Sequence, residues 1–287
     1  GIGGSIRALS KIVMAKNQYP LDILHGYAYQ VKNEISLFDK ISIAKNNDDL
    51  KSFGVKKDRF DTIKEGAFIF KTILEELEID EVVTSGVGVR EGAYLADLLR
   101  TSNHKFPENF NVSVRSLLDR FQIDEKQSAY LGNNAKKIFD VLKPIHNLDN
   151  KFRSLLVISS KLHSIGSTLN FYKSNDNAFD FILNGLNYDF LHTSRVLVAH
   201  TIKFSKKSLP TKNDILKYEE LLPSLEIMQW MSFMISLNIA INHDFSRPKV
   251  SYELKDNVLK IALSNNSFLI QSNIDKLESP EDLIVEL

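Results

Sequence analysis

The sequence predicts an α/β domain followed by an all-α domain, with a small β-rich segment at the end. Three observations support this fold class. A strand-like run, Val82 to Thr84, lies between two amphipathic helical patterns in the first 100 residues. Helical patterns then follow one another from about residue 112 without strand signals, and apolar and polar residues alternate from residue 250. At 287 residues the chain is long enough for two ordinary domains.

The α/β part opens with a glycine turn that leads into a helix. Gly3 and Gly4 precede Ser5, a favourable N-cap residue, and apolar residues recur at helical spacing from Ile6 to Val13. This predicts a helix that starts at the serine.

The next segments predict a strand over residues 27–31 and a helix over 35–43. Apolar residues from Phe60 to Leu77 then alternate by three and four, which indicates an amphipathic helix of about five turns. This helix leads directly into the Val82 strand, so the order is that of an α/β unit.

The turn after this strand is the main candidate for a functional site. Residues 85–92 contain three glycines, and helical spacing resumes over residues 93–99. A helix start has backbone N–H groups without partners, and the helix dipole favours anions there. Arg90 adds a planar cation, and Glu91 adds a carboxylate that can orient it or hold a metal-bound water. The same pair is typical of a solvated cap with a surface ion pair, and both interpretations stay open.

The remaining chain divides into a linker, a helical domain and a β-rich end. Residues 1–102 form the first domain, the polar residues 103–111 a linker, 112–246 the helical domain and 247–287 the β-rich segment. Helices are predicted at 112–122, 124–142, 152–165, 174–184, 189–206, 211–221 and 223–243, with Pro144, Gly166, Gly185 and Pro210 as breakers between them. Strands are predicted at 250–254 and 258–263, with Phe268 to Ile270 as a third strand of a meander.

Composition excludes several classes of protein. Basic and acidic residues both total 36, so no net charge favours binding to DNA or to an anionic membrane. The absence of cysteine excludes disulfides, thiolate zinc sites and cysteine nucleophiles, and fits a cytoplasmic location. Polar residues interrupt the apolar run 225–241, which favours a buried central helix over a membrane span. The chain opens without Met or a leader pattern, so we expect no signal peptide and interpret it as part of a longer protein.

Four short stretches, in order, resemble the exopolyphosphatase and guanosine pentaphosphate phosphatase family, Ppx/GppA. They are Gly3 to Leu9, Tyr19 to Tyr27, Asp58-Arg59 with Gly66, and Ser85 to Gly92. The last resembles the family's Ser-x-x-Gly-Leu-Arg-Glu-Gly signature, with Val89 in place of the leucine.

The resemblance implies that residues 1–102 are the later part of the second subdomain of an actin-like ATPase (ASKHA) fold and that residues 112–246 are HD-like. It also implies a set of residues that line one wall of a cleft and bind phosphate or nucleotide: Gly3, Gly4, Ser5, Ser85, Gly86, Gly88, Arg90 and Glu91. The family's first phosphate loop, water-activating glutamate and second phosphate loop have no counterpart in this sequence. We therefore expect no catalytic residue here and no turnover by this chain alone. Mg²⁺ is expected for the full-length enzyme and no cofactor for this part.

An HD-like domain raises the question of a metal site. His163-Ser164 occupies the position of the family's His-Asp doublet but lacks the aspartate, and too few further ligands are present. The literal pair His243-Asp244 lies at the end of a predicted helix, where helix carbonyls and a local Asp turn account for it. We expect no metal.

Two other groups of side chains on the predicted helices are candidates for a functional role. His192 and His200 are eight residues apart on one helix and are expected to be partly buried packing residues. Lys203, Lys206 and Lys207 could guide a long anion, but a solvated helix end is the preferred interpretation.

The leading hypothesis is part of a phosphoanhydride hydrolase that releases terminal phosphate from polyphosphate or guanosine pentaphosphate. The alternative is a regulatory protein that binds alarmone or polyphosphate without hydrolysis. An independent HD-type metal hydrolase is disfavoured by the missing ligands. Relatives are commonly dimers, so the resemblance also implies that a homodimer is one assembly open to this chain.

Overall fold

The computed structural model describes residues 1–107, 110–265 and 267–287. The chain divides into two compact units, Gly1–Phe110 and Asn111–Leu287. Each unit combines helices with one small sheet, which confirms a mixed helical chain of the α/β plus helical kind. Two residues of the predicted linker, Glu108 and Asn109, lie outside the described residues.

The first unit is built from five helices and a two-stranded sheet. They are α1 (Gly4–Lys16), β1 (Ala28–Gln30), α2 (Val31–Ser42), α3 (Asn47–Ser52), α4 (Ile63–Glu76), β2 (Glu81–Val83) and α5 (Val89–Leu98). The strands pair antiparallel, with Tyr29 opposite Val82. Thr84 extends the pairing, because its N–H donates to the Tyr27 carbonyl at 2.8 Å and its own carbonyl accepts from the Gly26 N–H at 2.9 Å.

The core of the first unit lies where α1, α2 and α4 pack together. Helix α4 turns Ile63, Ala67, Phe70 and Leu74 inward at intervals of four, three and four residues, as the amphipathic pattern predicts. The predicted ends were too wide, since α4 begins at Ile63 and ends at Glu76, and Leu77 beyond it is exposed. The outer side of α4 is also apolar and exposed: Phe68, Ile69 and Ile73.

The start of α1 differs from the prediction. Gly3, with φ of 129°, is the N-cap residue, and Ser5 is the second residue of the helix. A side chain would be strained at that φ, which explains the glycine. Ser5 instead packs against α4, because a Cβ on Gly66 would lie 2.6 Å from the Ser5 Cβ.

The second unit is a helical assembly with a three-stranded sheet. Its helices are α6 (Val112–Arg120), α7 (Glu125–His146), α8 (Asn150–Leu162), α9 (Ser174–Gly185), α10 (His192–Lys203), α11 (Lys212–Ile215), α12 (Leu225–Ile241) and α13 (Phe268–Ile274). Helix α12 is buried over most of its length, as predicted for a central helix. Its Asn238 donates to the Leu131 carbonyl and to Ser160 Oγ at 2.9 and 3.1 Å, and accepts from Asn134, so this buried amide is satisfied.

Two helix predictions in this unit were wrong in detail. The helix predicted to end at residue 142, before Pro144, continues to His146, so Pro144 lies inside α7 near its end. The predicted helix 211–221 is a single α-helical turn followed by a 3₁₀ segment over residues 216–221. In the described residues, no single helix has the length and apolar character of a membrane crossing. The segments 212–221 and 225–241 have them only when taken together, and the two segments are bent by 110° relative to each other.

The C-terminal sheet consists of β3 (Val250–Lys255), β4 (Val258–Leu263) and β5 (Ile284–Glu286). The β3–β4 hairpin confirms the predicted strands, but β5 runs parallel to β4, so the predicted meander is wrong. The predicted third strand at Phe268 is the start of α13 instead. Ser267 caps this helix by accepting the Ile270 N–H at 3.3 Å, and Ile270 and Ile274 are buried one turn apart.

Candidate phosphate site

A buried chain of hydroxyl groups fixes the end of β2 against α1. Thr84 Oγ1 donates to Ser10 Oγ at 2.9 Å, and Ser10 Oγ lies 3.4 Å from the Tyr29 hydroxyl. All three residues are buried, and burial raises the pKa of Tyr29 to about 12. The Tyr29 hydroxyl therefore stays protonated near neutral pH and keeps the chain hydrogen-bonded. The glycine turn consequently starts from a fixed point beside α1.

Arg7 ties the glycine turn to α1. Its Nε donates to the Ser85 carbonyl and its Nη2 to the Val87 carbonyl, both at 2.9 Å. The Gly1 carbonyl accepts the Ser85 N–H at 2.8 Å, so the segment before α1 also touches the turn. The two glycine-opened helix starts are therefore held side by side within the first unit.

Two hydrogen bonds and one close packing contact shape the turn itself. The Gly86 N–H donates to His25 Nδ1 at 3.0 Å, which requires the Nδ1 atom to be unprotonated. A Cβ on Gly86 would lie 2.7 Å from the His25 Cβ, so only glycine permits this approach. Ser85 Oγ lies 3.0 Å from the Val87 carbonyl and binds the turn locally.

The start of α5 carries its own carboxylate cap. Glu91 Oε2 accepts the Gly88 N–H at 2.9 Å. Hydrogen bonds from backbone N–H groups, with smaller effects of Arg90 and Arg7, lower the pKa of the Glu91 carboxyl. Of the two interpretations left open by the sequence, a helix cap therefore accounts for Glu91.

Arg90 differs from its neighbour. It is exposed and makes no hydrogen bond or ion pair with any described residue. A guanidinium in this state beside two helix starts is available to bind an anion.

The structure thus brings most of the predicted residues together. Gly3 and Gly4 open α1, Ser85 and Gly86 form the turn beside it, and Gly88 is the N-cap residue of α5. Ser5 lies in the first turn of α1, but its side chain packs against Gly66 of α4. Sequence reasoning missed the bridging role of Arg7, although its position one turn into a glycine-opened helix was a usable signal.

The histidines of the second unit have structural surroundings. His200 is buried, and its Nδ1 lies 2.9 Å from the Val196 carbonyl; burial lowers its pKa to about 4. Burial also lowers the pKa of His163, whose Nδ1 lies 3.0 Å from the Ser160 carbonyl. His192 is buried as well. The described residues contain no group of three or more His, Asp or Glu side chains that could hold a metal ion.

His243 lies just beyond the end of α12. The neighbouring Asp244 accepts the Ser246 N–H at 3.0 Å, which is the local Asp turn that the sequence indicated.

Residues 1–101, which contain the whole of this site, match the model of the Ppx/GppA phosphatase family. Two similar curated proteins both bear the name guanosine-5′-triphosphate,3′-diphosphate pyrophosphatase. That of Photobacterium profundum is 22% identical over 210 residues, covering 73% of this chain and 40% of the relative. That of Pseudoalteromonas translucida is 21% identical over 272 residues, covering 93% of this chain and 52% of the relative.

Residues 1–101 of this chain belong to the Ppx/GppA family. The resemblance of its four short motifs is thereby confirmed. A third relative of the same name, from Vibrio campbellii, is 25% identical over 181 residues, covering 62% of this chain and 34% of the relative. The chain thus spans between a third and about a half of the length of these curated relatives.

Proposed function

We propose that this chain supplies a phosphate-binding wall of a phosphoanhydride hydrolase that releases terminal phosphate from guanosine pentaphosphate or inorganic polyphosphate. The observation that carries the proposal is the pair of glycine-opened helix starts, α1 and α5, which Arg7 ties together. Helix starts bind phosphate through backbone N–H groups, and the exposed Arg90 adds donors that fit phosphate oxygens. The names of the curated relatives support guanosine pentaphosphate as the substrate.

The proposed role of these residues is to bind and orient the phosphate chain. Phosphoryl transfer depends mainly on positioning and on stabilising charge on the transferred group. Arg90 suits both tasks, whereas Glu91 is engaged by the Gly88 N–H and is not assigned as a base. We therefore assign no catalytic residue to this chain and expect it to bind ligand without releasing phosphate.

Mg²⁺ belongs to the proposal only for a longer enzyme. Mg²⁺ prefers octahedral oxygen ligands, usually carboxylates and substrate phosphates. The carboxylate of the turn, Glu91, already accepts a backbone N–H, and the described residues contain no cluster of metal-binding side chains. No step is therefore assigned to Mg²⁺ in this chain.

The finer architecture also belongs to the proposal. The antiparallel β1–β2 pair with α1, α4 and α5 around a glycine turn supports part of an actin-like ATPase subdomain. The succession of helices around the buried α12 supports an HD-like helical domain. A homodimer is the assembly proposed for the chain.

The test measures binding and phosphate release separately. Equilibrium dialysis of the chain with pppGpp is expected to show binding that Arg90→Ala weakens about tenfold, because one charge-assisted contact is lost. A colorimetric assay of free phosphate with Mg²⁺ is expected to show no release by the chain. The exposed Arg100→Ala, which removes an arginine outside the turn, serves as the matched control. Unchanged affinity after Arg90→Ala contradicts the assigned role.

The alternative function is that of a regulatory protein that binds the ligand without hydrolysis. Phosphate release by a longer polypeptide that contains this chain distinguishes it from the hydrolase. A hydrolase releases phosphate from pppGpp and loses that activity with Arg90→Ala. A regulatory protein binds the same ligand with no release. The phosphate assay therefore separates the two functions.

A further inference from the structure

A lysine of the second unit lies partly buried between two helices. Lys161 is in the last turn of α8, and its side chain crosses α7 at Gly132. A Cβ on Gly132 would lie 2.8 Å from the Lys161 Cε, 3.2 Å from its Cγ and 3.5 Å from its Cδ. The methylene groups of Lys161 therefore fill the space that glycine leaves open, and this packing holds the amine against α7.

The amine of Lys161 has no acidic neighbour to balance its charge. Among the residues that the structure describes, it makes no ion pair and no hydrogen bond. The charged group that acts on it is Lys136, which lies one turn after Gly132 on the same face of α7. Burial and, to a smaller extent, the charge of Lys136 lower the pKa of the Lys161 amine. A larger fraction of Lys161 is therefore free amine than of an exposed lysine.

Lys136 itself is exposed and makes no ion pair within the described part of the chain. Asp140, one turn further along α7, lies near enough to interact with it. However, the two oxygens of Asp140 accept hydrogen bonds from the Arg153 guanidinium at 2.7 and 2.6 Å. The ammonium group of Lys136 is thus available to an anion that approaches α7 beside Lys161.

A free amine next to an available ammonium group suits a reagent that carries both an electrophilic carbon and a negative charge. The amine of Lys161 is the nucleophile, since only the unprotonated form has an electron pair to donate. The ammonium group of Lys136 attracts the negative charge of the reagent. An acyl phosphate combines the two features, because its carbonyl carbon is bonded directly to a phosphate oxygen.

We propose that Lys161 is a site of modification by small acyl phosphates such as acetyl phosphate, with Lys136 as the residue that positions the donor. The Lys161 nitrogen attacks the carbonyl carbon, so that a C–N bond forms and the C–O bond to phosphate breaks. Inorganic phosphate leaves with the electron pair, and the nitrogen releases one proton to water. The product is a neutral amide, which ends the repulsion between the two lysines. The site lies in the second unit and is independent of the proposed function.

The test measures the acylation rate of each lysine by mass spectrometry after incubation of the whole chain with acetyl phosphate. Lys161 is expected to react about threefold or more faster than Lys137, because its lowered pKa enlarges the fraction of free amine. Lys137 is the matched comparison, since it follows Lys136 on α7, is exposed and makes no ion pair with any described residue. Reaction of Lys161 at the rate of Lys137, or more slowly, overturns the proposal.

Two variants test the parts played by charge and by packing. Lys136→Gln is expected to slow acylation of Lys161 by acetyl phosphate about threefold or more, and to slow acylation by uncharged acetic anhydride less. Gly132→Ala should displace the Lys161 methylene groups and bring its rate to that of Lys137. Lys137→Gln, the matched control, should leave the rate of Lys161 unchanged. An unchanged rate in Lys136→Gln or Gly132→Ala, with a native circular dichroism spectrum, contradicts the assigned site.

Discussion

Two arginines beside the glycine turn have opposite roles. Arg7 donates two hydrogen bonds to turn carbonyls, whereas Arg90 is exposed and makes no hydrogen bond or ion pair among the described residues. Arg7→Gln should therefore lower the free energy of unfolding by about 1–3 kcal/mol, because carbonyls of the turn lose their donors. Arg90→Gln should change it by less than about 0.5 kcal/mol.

Urea denaturation followed by far-UV circular dichroism measures this difference. Amide hydrogen exchange over residues 85–88 should also accelerate in the Arg7 variant alone. Equal stability of the two variants would show that the bridge between α1 and the turn contributes nothing measurable.

Glu91 gives the start of α5 a dependence on pH. Its carboxyl pKa is lowered in the folded protein by backbone N–H donors, so the cap is formed above the ordinary pKa of 4.5 and is lost as pH falls through the lowered value. At neutral pH, Glu91→Ala should accelerate hydrogen exchange of the Gly88 amide, which NMR measures directly. Exchange that is identical in the variant contradicts the cap.

At the scale of elements, glycines at two helix positions provide a matched test of packing. A Cβ on Gly66 of α4 would lie 2.6 Å from the Ser5 Cβ of α1, whereas a Cβ on Gly92 of α5 meets no atom within 4 Å. Gly66→Ala should lower the unfolding free energy by about 1–3 kcal/mol through overpacking. Gly92→Ala should raise it by about 0.5–1 kcal/mol, because alanine favours the helix.

Circular dichroism during urea denaturation again provides the measurement. Destabilisation by both substitutions to the same extent would indicate a general intolerance of change in the first unit. Stabilisation by Gly66→Ala would contradict the close approach of α1 and α4.

Helix periodicity was the most reliable signal in the sequence. It placed α4, whose inward apolar residues recur every three or four positions, while the long apolar run 225–241 placed the buried α12. The site was predictable where glycines precede a helix, but the role of Arg7 was not, since its hydrogen bonds reach carbonyls about 80 residues away. The third strand was misplaced because a short apolar run such as Phe268 to Ile270 is compatible with a strand or with a helix. The N-cap at Ser267 favours the helix.

At the scale of the whole molecule, buried histidines should make the second unit sensitive to acid. The pKa of His200 is lowered to about 4, against about 6.5 in an unfolded chain, so the unfolded state takes up its proton first. Stability is full above about pH 6.5 and decreases as pH falls toward 4, by roughly 3 kcal/mol for this residue. The lowered pKa of His163 acts in the same direction.

The single tryptophan of the chain, Trp230, is buried in α12 and reports on this unit. Its fluorescence during urea denaturation at several pH values measures the effect. His200→Phe, which fits among the rings of Phe179 and Tyr218, should flatten the pH dependence. An equally steep decrease in that variant would assign the acid sensitivity to other groups.

Helix α4 is apolar on two sides, one in the core and one exposed at Phe68, Ile69 and Ile73. Environment-sensitive dyes bind exposed apolar surface of this kind, so the native chain should fluoresce with such a dye before any heating. Dye-based melting curves will then begin from a high signal. Label-free spectroscopy at low protein concentration is the sounder way to compare the variants.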